Sequence, residues 1–406
     1  MPGPSPLPLE EAQERLLALA EPLDIEHVDV EGAVGRYLAE PVHALRTQPA
    51  ADLSAMDGYA VRPDDLAGPW TVSGESAAGH PFAGNLMRGD AVRIATGALM
   101  PRDADCVILQ EDIIRENGRI ALAGEIPEPA SKHVRRRGLD FDKDDEVMPA
   151  GQRIGAAQAA LAISAGHKHV AVRRLPNVAI IDSGDELSSD PARCEMHQIP
   201  ASNGAMLLAM ARAVPCRARR LGPVADDMDA MARVLAQTET ADVIVTSGGA
   251  SVGYHDLVRP ALEAWGAKID FWRVAIKPGK PLLVATREGP KGRQIIIGLP
   301  GNPVSSHVTA YLFLLPLLRA MLGAARPLPR RFATTLSEPL NANGSRREFK
   351  RAFWDGTVIG AQVIQDSGAL AVLAASNALI DNEANAPARA TGDPIFAFLL
   401  ENGGIA

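Results

Sequence analysis

An unbroken apolar run, Ile295-Ile296-Ile297-Gly298-Leu299, stops at a turn in which Pro300 and Pro303 enclose Gly301-Asn302. β-Branched residues in such a run read as a strand buried on both faces. The prolines fix φ on either side of the turn and withhold two backbone donors. The strongly apolar segment Val308 to Leu318 follows at once. A buried strand that ends in a rigid loop is the place where open α/β sheets bind ligands.

The chain around this stretch is large. Its 406 residues exceed what one core supports and predict roughly two to four domains. A net charge of −8 disfavours general nucleic-acid binding. Cys106, Cys194 and Cys216 are scattered, which argues for a reducing compartment without a disulfide framework and against a zinc site. Met1 to Pro8 is proline-rich and then turns acidic, unlike a secretory leader. The apolar run around Val308–Leu318 contains Pro316 and reads as too short to span a bilayer. A soluble, cytoplasmic protein is expected.

Texture changes along the chain mark its parts. Residues 9–19 carry leucines on one stripe and charges elsewhere, as an amphipathic helix does. From 45 to 140, short β-like runs alternate with glycine and proline, the pattern of an inserted β-rich domain. Residues 158–164 are again helical. Residues 174–326 alternate strand, loop and helix and predict a doubly wound parallel sheet. Ala205 to Ala213 reads as a helix capped by Ser202 or Asn203, and Met228 to Gln237 as one capped by Asp226 or Asp227. Beyond the proline linker at 326–329, short strands and glycine turns predict a C-terminal β-domain, 327–406. The fold class is multidomain α/β plus β.

Four loops carry candidate chemistry. Thr246-Ser247-Gly248-Gly249 through Ser251 and Gly253 follows a strand, and its glycine amides and hydroxyls suit an anion such as phosphate; a ligand-free tight turn is an equal alternative. It is neither a P-loop nor a dinucleotide fingerprint. Asp182, Asp185 and Glu186 gather at another strand end, where they suit Mg²⁺ or ligand amino and hydroxyl groups; a solvated polar loop is an equal alternative. Arg273, Lys277 and Lys280 lie on a loop stiffened by Pro278 and Pro281, the composition of an anion clamp. The β-rich segment contributes Asp57, Thr96 and the run Arg135–Arg137 with Asp140; that run reads as a solvated face or an anion-binding strip.

Seven strings appear in series: SAMDGYAV (54–61), RIATGA (93–98), RRRGLD (135–140), SGDEL (183–187), TSGGASVG (246–253), AIKPGKP (275–281) and GLPGNPVS (298–305). Together they resemble the molybdopterin molybdotransferase family, the MoeA and gephyrin E-domain type, over nearly the whole chain. The resemblance implies an L-shaped homodimer of four-domain subunits, in which 1–44 and 141–173 form one discontinuous helical and mixed N-terminal domain for linkage and dimerisation, and whose cleft is shared between the α/β domain of one subunit and the β-rich domain of the other. It implies insertion of molybdate into adenylylated molybdopterin, with Mg²⁺ and release of AMP.

Matched by motif, the implied catalytic residues are Asp57, Asp140, Glu186 and Asp256. Glu186 and Asp256 are placed at Mg²⁺, and Asp57 and Asp140 near molybdate, through protonated or water-bridged contacts or by orienting an attacking oxygen. The implied substrate-binding set is Thr96, Arg135, Asp226, Ser247, Gly248, Gly249, Ser251, Arg273, Lys277, Lys280, Pro300, Asn302, Pro303 and Ser367. The molybdopterin adenylyltransferase and molybdoenzyme chaperones are the implied partners, with no nucleic acid and no membrane. Ala201, Ala225, Ala250, Arg273 and Val372 depart from the family's usual residues. They leave open a specialised paralogue, for example one handling tungstate. A gephyrin-like scaffold is a weaker alternative, because no extra linker or fused domain is present. A stand-alone adenylyltransferase would not need the β-rich segment.

Overall fold

The computed structural model describes residues 5–248 and 257–400. Gly249, Ala250, Ser251 and Asp256, singled out above, lie outside the described residues.

The centre of the fold is a six-stranded sheet in the order Arg217–Val224, Asn177–Ser183, Val243–Ser247, Gly292–Leu299, Pro281–Gly289, Lys268–Arg273. The first four strands run parallel, in the register Val178↔Val243↔Ile295. Alternation decides the layers. Val178, Ile180, Val243 and Val245 face helices Asn203–Arg212 and Pro303–Thr309. Ala179, Ile181 and Ile244 face helices Met228–Ala236 and Val258–Ala264. Both faces are covered, so Ile295, Ile296 and Ile297 are buried as the apolar run predicts.

Two features differ from the sequence reading. The strands Pro281–Gly289 and Gly292–Leu299 are antiparallel, so one edge of the sheet departs from the parallel pattern. Only Pro290 and Lys291 separate them, too few residues for a crossover helix. The apolar run around Val308–Leu318, read as too short to span a bilayer, is also part of a longer helix that runs through Pro316. Helical structure continues from Pro303 to Met321, 19 residues that satisfy the length and apolarity of a membrane span. A π-helical stretch, Ala310–Leu314, immediately precedes the segment containing Pro316, and proline is tolerated where a new first turn begins. With 89% of its window buried inside the protein, this helix is a core helix.

The remaining parts surround this unit. Strand Ile25–Asp29 pairs with His169–Arg173, and Val42–His43 with Glu146–Met148, so the chain returns to its own beginning around the intervening residues. Those residues form a sheet in the order Thr71–Ser76, Asp90–Ile94, Gly58–Val61, Cys106–Leu109. The C-terminal strands build a second six-stranded sheet, in which Arg347–Trp354 also pairs with Ala378–Asn382. The short strand Ile276–Lys277 belongs to that sheet, which ties the AIKPGKP loop to the C-terminal domain.

Candidate active site

Strands Asn177–Ser183, Val243–Ser247 and Gly292–Leu299 all end at one edge of the sheet. A cavity of about 470 Å³ opens there. Glu186, Ser247, Gly248, Asn302 and Pro303 line it, so three separate strand-end motifs converge. Asn203, at the start of helix Asn203–Arg212, holds two of them together. Its Nδ2 donates to Ser247 Oγ at 3.0 Å and to the Gly301 carbonyl at 2.7 Å. Asn302 Nδ2 reaches Ser367 Oγ at 3.0 Å and brings the C-terminal domain to the rim. Neither Ser202 nor Asn203 makes a side-chain cap to the helix, because the Asn203 amide is used across the cavity. The other cap is made by Asp227, which accepts from the Ala230 amide at 2.8 Å.

The carboxylates of the SGDEL strand end do not act as one cluster. Asp182 is buried, and its Oδ2 accepts from Arg220 Nε at 2.8 Å. Burial pushes its carboxyl upward, against the pull of Arg220. Asp185 accepts from the Asp226 amide at 3.0 Å, which places Asp226 beside the strand end without lining the cavity. Glu186 remains exposed and lines the cavity. Among the described residues no group of three His, Cys, Asp or Glu side chains gathers to hold a metal. A magnesium ion brought in with phosphate oxygens needs only one or two carboxylates, and Glu186 satisfies that smaller requirement.

The cations of the expected anion clamp, Arg273, Lys277 and Lys280, differ in their surroundings. Lys277 Nζ pairs with Glu348 Oε1 at 2.7 Å, and Arg273 lies over the Trp272 ring at 5.0 Å. Burial works to raise the Glu348 pKa, but Lys277 and Lys350 outweigh it and hold the group below the usual range. Lys280 is exposed. The loop packs beside the helix that follows Pro303, since a Cβ on Gly279 would meet Thr309 Cγ2 at 2.5 Å. Pro300 is not among the residues lining the cavity.

Asp57 lies at a different cavity of about 330 Å³, which Tyr59, Glu75, Arg93 and Arg115 also line. The Thr96 backbone N–H donates to Asp57 Oδ1 at 2.7 Å and the Thr96 hydroxyl at 3.0 Å. These bonds hold the carboxyl below its ordinary range, which disfavours a protonated Asp57 and leaves its second oxygen exposed. Thr96 therefore sets Asp57. Arg135 is exposed on a strand paired with Leu53–Ser54, and exposed Asp140 is fixed through its amide to the Gln48 carbonyl. The arginine run is not a uniform strip, because Arg136 is held between Asp52 at 2.7 Å and Asp105 at 2.5 Å.

Asn203, Gly204 and Arg220 were not singled out as functional from the sequence. Their only signal was position, since Asn203 and Gly204 open a helix beside a strand end.

Three family models match in order: the MoeA N-terminal region (domains I and II) over 7–166, a probable molybdopterin-binding domain over 179–320, and the MoeA C-terminal region (domain IV) over 333–400. A molybdopterin molybdenumtransferase of Haemophilus influenzae is 34% identical over 354 residues, covering 86% of each chain. The chain belongs to the molybdopterin molybdenumtransferase (MoeA) family. A Nostoc relative of the same name is 35% identical over 80% of this chain and 76% of its own. A crystal structure of a Pyrococcus horikoshii molybdopterin biosynthesis MoeA protein superposes with a TM-score of 0.83 at 26% identity, covering 97% of this chain and all of that one.

Proposed function

We propose that this protein inserts molybdate into adenylylated molybdopterin in molybdenum cofactor biosynthesis, with magnesium as the accompanying cation and AMP as the released product. The observation that carries this reading is the convergence of Ser247–Gly248, Asn302–Pro303 and Glu186 on one cavity at the carboxyl edge of the sheet. Ligands of open α/β sheets bind at that edge. The cavity offers hydroxyl and amide groups to an anionic pterin, and a carboxylate at its rim. Glu186, with Asp256 by motif, would hold the magnesium, which would supply charge neutralisation for the phosphate oxygens.

Asp57, held ionised by Thr96, is suited to a water-bridged contact with molybdate, and Asp140 lies on the same β-rich insertion. The cavity at Asp57 is separate from that of Glu186 within one chain. Shared use by two subunits of a homodimer brings the two sets together. The adenylyltransferase that supplies the substrate and the chaperones that receive the product are the proposed partners, in the cytoplasm. Incubating the purified protein with adenylylated molybdopterin, Mg²⁺ and molybdate tests the reading. AMP release that depends on molybdate is expected, and release indifferent to molybdate, or none, overturns it.

A further inference from the structure

Ser247 is a substrate-binding candidate whose hydroxyl has one proton and two lone pairs. Which of these faces a ligand is decided by a neighbour. Asn203 can meet Ser247 with either its carbonyl or its amino end. The Gly301 carbonyl, 2.7 Å from Nδ2, settles the choice, because only the amino end can donate to it. Nδ2 therefore also donates to Ser247 Oγ at 3.0 Å. One Ser247 lone pair is occupied, and the proton is left to point elsewhere. Ser247 is 4% exposed and lines the cavity, so that direction matters to whatever fills it.

Two acceptors are masked by this one amide: the Ser247 oxygen and the Gly301 carbonyl. Left bare, both would repel a phosphate oxygen. We propose that Asn203 is a positioning and specificity-determining residue, which presents Ser247 as a hydroxyl donor to an anionic oxygen of the bound pterin phosphate. Asn203 touches no reacting atom and acts through Ser247 and Gly301. The inference rests on the functional reading above.

The test is steady-state kinetics with adenylylated molybdopterin, comparing Asn203→Ala, Asn203→Asp, Ser247→Ala and the Asn203→Ala/Ser247→Ala double variant. Asn203→Ala and Ser247→Ala each raise KM roughly 10-fold, the scale of one hydrogen bond to a charged group, with kcat little changed. Asn203→Asp is worse than Asn203→Ala, because a carboxylate accepts the Ser247 proton and faces the Gly301 carbonyl. A brace that works by shape alone predicts the reverse order, since Asp retains the size of Asn. Most of the cost of Asn203→Ala disappears in the Ser247→Ala background. Thermal unfolding checks that each variant is folded, and Ser247→Ala keeps the test open should an Asn203 variant fail to fold. Additive effects, an unchanged KM, or Asp outperforming Ala would overturn the proposal while leaving AMP release by the native protein intact. Absence of release by the native protein would instead overturn the functional reading and this proposal with it.

Discussion

Gly204→Ala gives a sharp test of how the cavity is built. Gly204 is the second residue of helix Asn203–Arg212, where alanine favours the helix by up to about 1 kcal/mol. On propensity alone the substitution stabilises. A Cβ at this position, however, would overlap Asp182 Oδ2 and lie 2.6 Å from Arg220 Nε. The carboxylate would have to leave Arg220 to make room. Asp182 is 1% exposed and Arg220 29% exposed, so Asp182 is the partner stranded without solvent. Breaking a buried pair costs about 3–5 kcal/mol. Arg220 retains solvent and its 2.6 Å bond to the Ala201 carbonyl, so the lower end applies. Net of the helix gain, the loss is about 2–3 kcal/mol, or about 4–12 °C in the unfolding midpoint of a domain of this size. Removing the carboxylate reverses the sign. In an Asp182→Ala background the oxygen is gone and Arg220, released from its partner and 29% exposed, can move its Nε off the new methyl group, so Gly204→Ala should then raise the midpoint. Differential scanning calorimetry of the four proteins reads both effects. If Gly204→Ala destabilised the Asp182→Ala background as strongly as the native one, Asp182 would not be the group that excludes a side chain at 204.

Other substitutions probe separate parts. Thr96→Val removes one of the two bonds that hold Asp57 low, so the acid limb of the kcat/KM profile should move to higher pH; a stationary limb would take Asp57 out of the steps that limit the rate. His307 has an enclosed Nδ1 without a hydrogen-bond partner among the described residues, and burial holds its pKa down to about 4. Its neutral form is therefore favoured by folding, and stability is lost as pH falls from the unfolded value of about 6.5 toward 4, by on the order of 2–3 kcal/mol; urea unfolding of His307→Gln should show a flatter profile across that window. Asp381, fully buried, accepts from Arg347 Nε at 2.6 Å and Nη2 at 2.5 Å. Asp381→Ala should destabilise the C-terminal sheet by about 3–5 kcal/mol, seen as faster proteolysis of that domain, whereas native resistance would refute the assignment.

The strand ends were legible in the sequence because their signals are local. A β-branched run and the prolines of the 300–303 turn specify a buried strand and a rigid exit without reference to the rest of the chain. What stayed hidden was pairing across the chain. Lys277 has the composition of an anion ligand, yet it meets Glu348 because its short strand joins the C-terminal sheet. Asp182 stood among three acidic residues as a metal candidate, yet it faces Arg220 from the adjacent parallel strand. Thr96 and Asp57 are brought together by strands Asp90–Ile94 and Gly58–Val61, which pair in the register Gly58↔Ile94. In each case the partner was set by strand register, which no local pattern encodes.

The same distinction explains why the cavity depends on neutral groups. Apart from Glu186, which stays exposed at the cavity, charges of the strand ends and the neighbouring loop are engaged: Asp182 by Arg220, Lys277 by Glu348, and Asp185 by a backbone amide. Hydroxyls and side-chain amides carry the contacts that cross from loop to loop, from Asn203 to Ser247 and Gly301 and from Asn302 to Ser367. A site meant for a ligand with its own phosphates and an accompanying cation gains little from a fixed surplus of either sign. It gains from donors whose direction is set before the ligand arrives, because such groups need no reorganisation on binding. On this argument the orientation of Ser247 contributes more to recognition than the nearby lysines. The KM should accordingly respond less to Lys280→Ala, an exposed point charge, than to Asn203→Ala, which changes no charge at all.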